Sequence, residues 1–216
     1  KAMKPEEADK KADLVVVMTK SMALESMMES IEGIIGKDTQ ILCLLNGMGH
    51  ERILEKFVDK NKINMGVTIW AAGLNAPGEI EITGKGTIDV QNIGGDEENG
   101  KKIADLLDKA GLGAKYDEDV MFAIWRKVMV NGTMNSMTSL MECTIGEFFE
   151  SEESKEIVSE LVKEFTEVGR AEGIKLDYEE MMAYILKSAE EAKDHYPSMY
   201  QDLIKRNRKT EIDFIN

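Results

Sequence analysis

Two periods divide this chain. Leu14 to Met18 is a short continuous apolar run of strand length, and the helical-period stretch that follows it in "SMALESMMESIEGIIGK" ends on Gly36. Gln40 to Leu45 ("QILCLL") repeats the apolar run, "NGMG" marks a turn, "HERILEKFVDK" restores the helical period, and "NMGVTIWAA" supplies another strand. Strands alternating with helices predict a parallel sheet with helical crossovers. From Gly73 to Gly94 the pattern changes: Pro77-Gly78 is a turn signal, and "GEIEITGKGTIDVQNIGG" alternates in twos, as antiparallel strands with one wet face do. Asp96 then opens a helix that runs to about Gly111.

Beyond Asp117 the pattern is helical throughout. The spacing predicts a long Met-rich helix over Glu118 to Met141. Between Ser151 and Gly173 it sets Ile157, Val158, Leu161, Val162, Phe165 and Val168 on one stripe, suited to core packing or to a dimer contact. Asp177 with Glu180 three residues on, the acidic analogue of a capping box, opens a third helix through about Lys193, and a fourth follows Pro197. The chain therefore divides into an α/β part over 1–117 and an all-helical part over 118–216.

Composition narrows the partners. The 216 residues are enough for one large domain or two modest ones, and 41 acidic against 27 basic residues give a formal net charge of -14. Such a surface repels phosphate backbones and anionic lipid, so neither nucleic acid nor membrane is an expected partner. Cys43 and Cys143 are the only cysteines, and no signal-like segment opens the sequence, which argues for a cytoplasmic protein without a disulfide framework. The apolar runs fall far short of the ~20 residues that span a bilayer. The first residue is lysine rather than methionine, and a strand follows almost at once, as in the remainder of a longer protein.

Candidate chemistry concentrates at a few polar positions. In open parallel sheets ligands sit beyond the carboxyl ends of the strands; Lys20 follows the first strand and Asn46, Gly47 and Gly49 follow the second. An exposed lysine and an Asn-Gly turn are also common surface features. In "WRKVMVNGTMN" Lys127, Asn131 and Asn135 recur every four residues along one face of a helix. The lysine could snorkel to solvent and the asparagines could bond helix backbone, yet two asparagines a turn apart in a Met- and Val-rich helix cost stability unless satisfied. Near the end, "HYPSMYQDLIKRNRKTEIDFIN" offers Ser198, Asp202 and Glu211, the last either a helix-start acid on solvent or a carboxylate in a cleft. His50 and His195 lack metal-ligand company, so no metal is expected. Gly33-Ile-Ile-Gly36-Lys37 and Gly84-Lys-Gly86 fail as nucleotide motifs, and the sequon at Asn131 falls on a helix. The fifteen methionines read as core filler.

"LLNGMG", the "APG" turn, "WRKVMVNGTMNSMT", and "SMYQDL" followed by "KTEIDFIN", in this order and spacing, resemble the ketopantoate reductase family of 2-dehydropantoate 2-reductases and related D-2-hydroxyacid dehydrogenases. The match runs from about residue 12 to the end. It implies that residues 1–117 form the C-terminal part of a Rossmann-type NAD(P)-binding domain and 118–216 a helical substrate-binding domain. It implies NADP(H), or NAD(H), as cofactor and a small 2-oxo acid as substrate. By the same resemblance Lys127 is the general acid that protonates the substrate's carbonyl oxygen as hydride reaches the carbonyl carbon. Asn131, Asn135 and Ser198 hold the substrate, Glu211 lies near the nicotinamide, and Lys20, Asn46 and Gly47 line the cofactor side.

Two features depart from the family. Its GxGxxG turn, which holds a pyrophosphate at a helix N-terminus, is absent from these 216 residues, and the sequence stops after "DFIN" where the family continues into further helices. The chain is thus expected to be an internal portion that by itself binds a dinucleotide poorly. The interval from Ser198 to Glu211 is also one residue longer than the family's commonest spacing. The leading expectation is NAD(P)H-dependent reduction of ketopantoate; its near rival is a D-2-hydroxyacid dehydrogenase acting on bulkier 2-oxo acids. A non-catalytic helical interaction module is the alternative of another class, and the polar groups from Lys127 to Glu211 argue against it.

Overall fold

The computed structural model describes residues 3–83 and 85–216, and only the backbone of Glu6 and Thr83. Gly84, of the failed Gly84-Lys-Gly86 motif, lies outside the described residues, as do Lys1 and Ala2 at the lysine start. The chain divides into two compact units, one of Lys1–Leu45 and Gly49–Ala123, the other of Asn46–Met48 and Ile124–Asn216.

The first unit opens with β1 (Leu14–Val17), α1 (Leu24–Ser30), β2 (Gln40–Cys43), α2 (His50–Leu54) and β3 (Ile63–Thr68). β1 pairs parallel with β2 from Leu14↔Gln40 to Val17↔Cys43, and β2 pairs parallel with β3. β2 is buried at every position, which is why its sequence is a continuous apolar run rather than an alternation. β1 lies at the edge of the described sheet and leaves Val16 42% exposed, less buried than its run of valines suggests. Both early helices are shorter than their periodic stretches, and 3-10 turns at Glu32–Ile34 and Lys60–Lys62 complete the crossovers.

The predicted break in pattern is real. β4 (Ala71–Ala76) and β5 (Glu79–Thr83) form a separate antiparallel hairpin over the Pro77-Gly78 turn. β6 (Ile88–Asn92) then re-enters the main sheet antiparallel to β3, its burial alternating as its sequence does. The expected strand "NMGVTIWAA" is cut in two because Trp70 turns inward, its indole Nε1 donating to the Leu112 carbonyl at 2.9 Å. α3 (Glu97–Lys109) starts on Asp96, whose carboxylate accepts from Asn99 N at 3.1 Å, and leads to β7 (Ala114–Tyr116), parallel to β6. The sheet order is β1-β2-β3-β6-β7. Leu42, Leu44, Val90, Ile103 and Leu107 form the core between sheet and α3.

α4 (Val120–Met141) carries the chain into the second unit, whose boundary falls inside this helix after Ala123, a few residues beyond Asp117. There follow α5 (Ile145–Phe149), α6 (Glu152–Ala171), α7 (Tyr178–Glu191) and α8 (Ser198–Tyr200). α5 was not read from the sequence, although Thr144 and Glu147 form a full capping box at its start. In α6 the predicted stripe splits: Val158 and Val162 are buried, whereas Ile157 and Val168 are exposed. Met129, Met134 and Met181 fill the helical core with Trp125, Phe148, Leu176 and Ile185. Ser151 caps α6 by accepting from Ser154 N at 3.1 Å. Ser151→Ala is expected to lower stability by about 1 kcal/mol in urea unfolding, since it strands one of the helix's unpaired amides. Among the described residues no helix is long and apolar enough to cross a membrane.

Candidate functional site

The polar ladder lies on α4 within the second unit. Its hydroxyls are spoken for by the helix itself: Thr133 donates to Met129 O at 2.8 Å, Ser136 to Gly132 O at 3.0 Å, Thr138 to Met134 O at 2.8 Å and Ser139 to Asn135 O at 2.6 Å. The asparagines behave differently. Among the described residues nothing bonds the side-chain amides of Asn131 and Asn135, although Asn135 is buried. The alternative in which they back-bond to helix carbonyls is therefore not the one adopted. The sequon threonine, Thr133, is buried inside the helix.

Lys127 is enclosed one turn before Asn131. Loss of water around its ammonium pulls the pKa down from 10.5 to about 8, and the negative charge of Glu211 acts in the opposite sense. Glu211 is buried, 7% exposed, so it is not an acid on solvent. It stands just before the 3-10 turn Ile212–Phe214.

That short terminal segment is anchored twice. Asn216 Nδ2 donates to the Gly132 carbonyl at 3.2 Å, next to Asn131 on α4. Met48 N donates to the Phe214 carbonyl at 2.9 Å, which draws Asn46–Met48 out of the sheet unit and into the helical one. Gly47 makes this approach possible. Its φ is +105°, and a Cβ there would stand 2.5 Å from the Phe214 carbonyl oxygen. Lys127, Asn131, Asn135, Glu211, Asn46 and Gly47 thus belong to one unit, assembled from three separated stretches of sequence.

Ser198, at the start of α8, belongs to the same unit and is exposed. Lys20 belongs to the first unit, just before the 3-10 turn Ser21–Ala23 that follows β1, and is half-buried. His50 is buried at the start of α2, His195 is exposed, and the described residues contain no cluster that could hold a metal ion. Sequence reasoning missed Phe214, whose carbonyl organises the Asn46 loop, and Arg208, which pairs with Asp202. The only signal for the former was an aromatic in "EIDFIN".

A mixed Rossmann-type sheet followed by a helical unit with an enclosed lysine facing a carboxylate is the arrangement of an NAD(P)-dependent oxidoreductase. Two family models match: Ketopantoate reductase PanE/ApbA over residues 1–95 and Ketopantoate reductase PanE/ApbA C terminal over 119–216. The 2-dehydropantoate 2-reductase of Streptococcus pyogenes serotype M18 is 49% identical over 215 residues, 99% of this chain and 70% of that protein. That of Lactococcus lactis is 43% identical over 209 residues, 95% of this chain and 67% of its own length. Among solved structures, a ternary complex of D-mandelate dehydrogenase with NADH and anilino(oxo)acetate superposes with a TM-score of 0.90 at 43% identity, covering 96% of this chain and 68% of that one. The chain belongs to the ketopantoate reductase family.

Proposed function

We propose that the protein reduces 2-dehydropantoate to D-pantoate with NADPH, and that Lys127 is its proton donor. One observation carries the reading: a lysine enclosed until its pKa falls to about 8 lies on a helix face with two asparagine amides and faces a buried glutamate. At neutral pH such a lysine is still protonated, yet gives up its proton more readily than an exposed one. Reduction of a 2-oxo acid builds negative charge on the carbonyl oxygen, and an ammonium aimed there stabilises it and transfers a proton.

Asn131 and Asn135 would donate their amide hydrogens to the substrate's oxygens and fix the carbonyl face, while Ser198 would bond its carboxylate or hydroxyl. By the resemblance to the family, Asn46 and Gly47 would line the nicotinamide side, and Lys20, in the first unit, would serve the cofactor's anionic part. When bound, the nicotinamide supplies the hydride. Glu211 keeps Lys127 charged in a site that otherwise disfavours charge. The names of the curated relatives support 2-dehydropantoate as substrate.

A second reading, dehydrogenation of bulkier D-2-hydroxyacids, is favoured by the likeness to D-mandelate dehydrogenase. The discriminating experiment follows NADPH and NADH oxidation by the full-length protein with 2-dehydropantoate and with a phenyl-substituted 2-oxo acid. A kcat/KM at least about tenfold higher for 2-dehydropantoate is the expected result, a difference of roughly 1.4 kcal/mol in transition-state binding. Preference for the aryl acid would move the function to the second reading.

A further inference from the structure

Between Ser198 and Glu211 the chain carries a second buried carboxylate that the proposed chemistry does not use. α8 runs directly into a π turn, Gln201–Lys205, where Arg206 N donates to the Gln201 carbonyl at 3.0 Å. The backbone then reverses through Asn207, at φ 46°, and Arg208 N donates to the Asp202 carbonyl at 2.9 Å. That return spans one residue more than the usual Schellman closure of a helix.

Asp202 is 3% exposed, and its Oδ1 accepts from Arg208 Nε at 2.8 Å and Nη2 at 2.5 Å, with Arg206 Nη1 at 3.5 Å. A carboxylate this enclosed needs such partners, and charge-assisted bonds from a guanidinium are the strong kind. The pair thus ties backbone and side chain of Arg208 to the same residue on the turn, three positions before Glu211. π turns arise where one extra residue is accommodated in a helix, often beside functional sites.

We propose that the Asp202–Arg208 pair is a positioning latch: it closes the widened turn and thereby sets Glu211 in register opposite Lys127. Neither partner is a catalytic residue; both act through Glu211. The inference rests on the Lys127–Glu211 reading above, and the two can fail separately.

The test uses steady-state kinetics of the full-length protein with 2-dehydropantoate and NADPH. Arg208→Met is expected to lower kcat by about 10–10²-fold, the scale of a catalytic group misplaced by roughly an ångström. KM for the oxo acid should move less than kcat, because two of the three residues proposed to hold it, Asn131 and Asn135, are on α4 and only Ser198 is on the helix that runs into the turn. Arg208→Lys, which keeps the charge but loses the fork, should recover part of the rate. In a Glu211→Gln background Arg208→Met should add less than about twofold, since residues acting through one group are not additive.

Full multiplication of the two effects would overturn the latch. So would an unchanged kcat in Arg208→Met while Lys127→Ala collapses, and that outcome would leave the Lys127 reading standing. If Lys127→Ala and Glu211→Gln are both silent, the underlying reading falls and takes the latch with it. Should Arg208→Met fail to melt cooperatively, the comparison is carried by Arg208→Lys, with and without Glu211→Gln, and the same criteria apply.

Discussion

Lys127→Ala is expected to lower kcat of the full-length protein by about 10²–10⁴-fold, the contribution of a positioned general acid. The enclosure that lowers the lysine's pKa also sets the pH dependence. A general acid works in its protonated form, so activity should be full below the folded-state pKa and fall as pH rises through about 8. The kcat/KM profile reports this ionisation in the unliganded enzyme. Glu211 raises the lysine's pKa. Removing its charge in Glu211→Gln should therefore make Lys127 lose its proton at lower pH and shift the alkaline limb downward. In Lys127→Ala that limb should vanish. A loss of less than about tenfold, or a limb that persists in the alanine variant, would remove Lys127 from the role of proton donor.

The helix face bearing this lysine was legible as a ladder every four residues, because a helix nearly repeats on that spacing and the three polar residues stand out in an otherwise Met- and Val-rich run. What spacing alone left open was whether Asn131 and Asn135 bond their own helix. The structure separates them from the neighbouring serines and threonines, which do. β2 and the alternation of β6 were legible for the same reason: burial on two faces or on one writes itself into the sequence. β7 was not, since three residues, Ala114 to Tyr116, are too few to show a period. The cut at Trp70 was hidden because an indole bonding the Leu112 carbonyl, 42 residues on, is a tertiary event. The pairing of Asp202 with Arg208 was hidden likewise: a separation of six matches no helical period and becomes a contact only through the π turn and the left-handed Asn207.

Gly47→Ala is expected to be the most damaging change that removes no functional group. The new Cβ would stand 2.5 Å from the Phe214 carbonyl oxygen and 2.8 Å from the Phe214 Cβ, both inside ordinary contact distance. At φ +105° the alanine is strained as well, at a cost on the order of 1–3 kcal/mol. Relief requires the Asn46–Met48 loop and the Ile212–Phe214 turn to part, which breaks the Met48 to Phe214 hydrogen bond and displaces Asn46 and Glu211 together. A displacement of that size should cost about 10²-fold in kcat/KM. Gly49→Ala isolates the contact from the strain: Gly49 also has positive φ, +82°, but nothing lies within 4 Å of its would-be Cβ. If the close approach to Phe214 organises the site, Gly49→Ala should lose thermal stability by a comparable strain while keeping most of its activity. Equal activity losses in the two variants would show that the loop's backbone conformation, and not its contact with the terminal segment, is what catalysis requires.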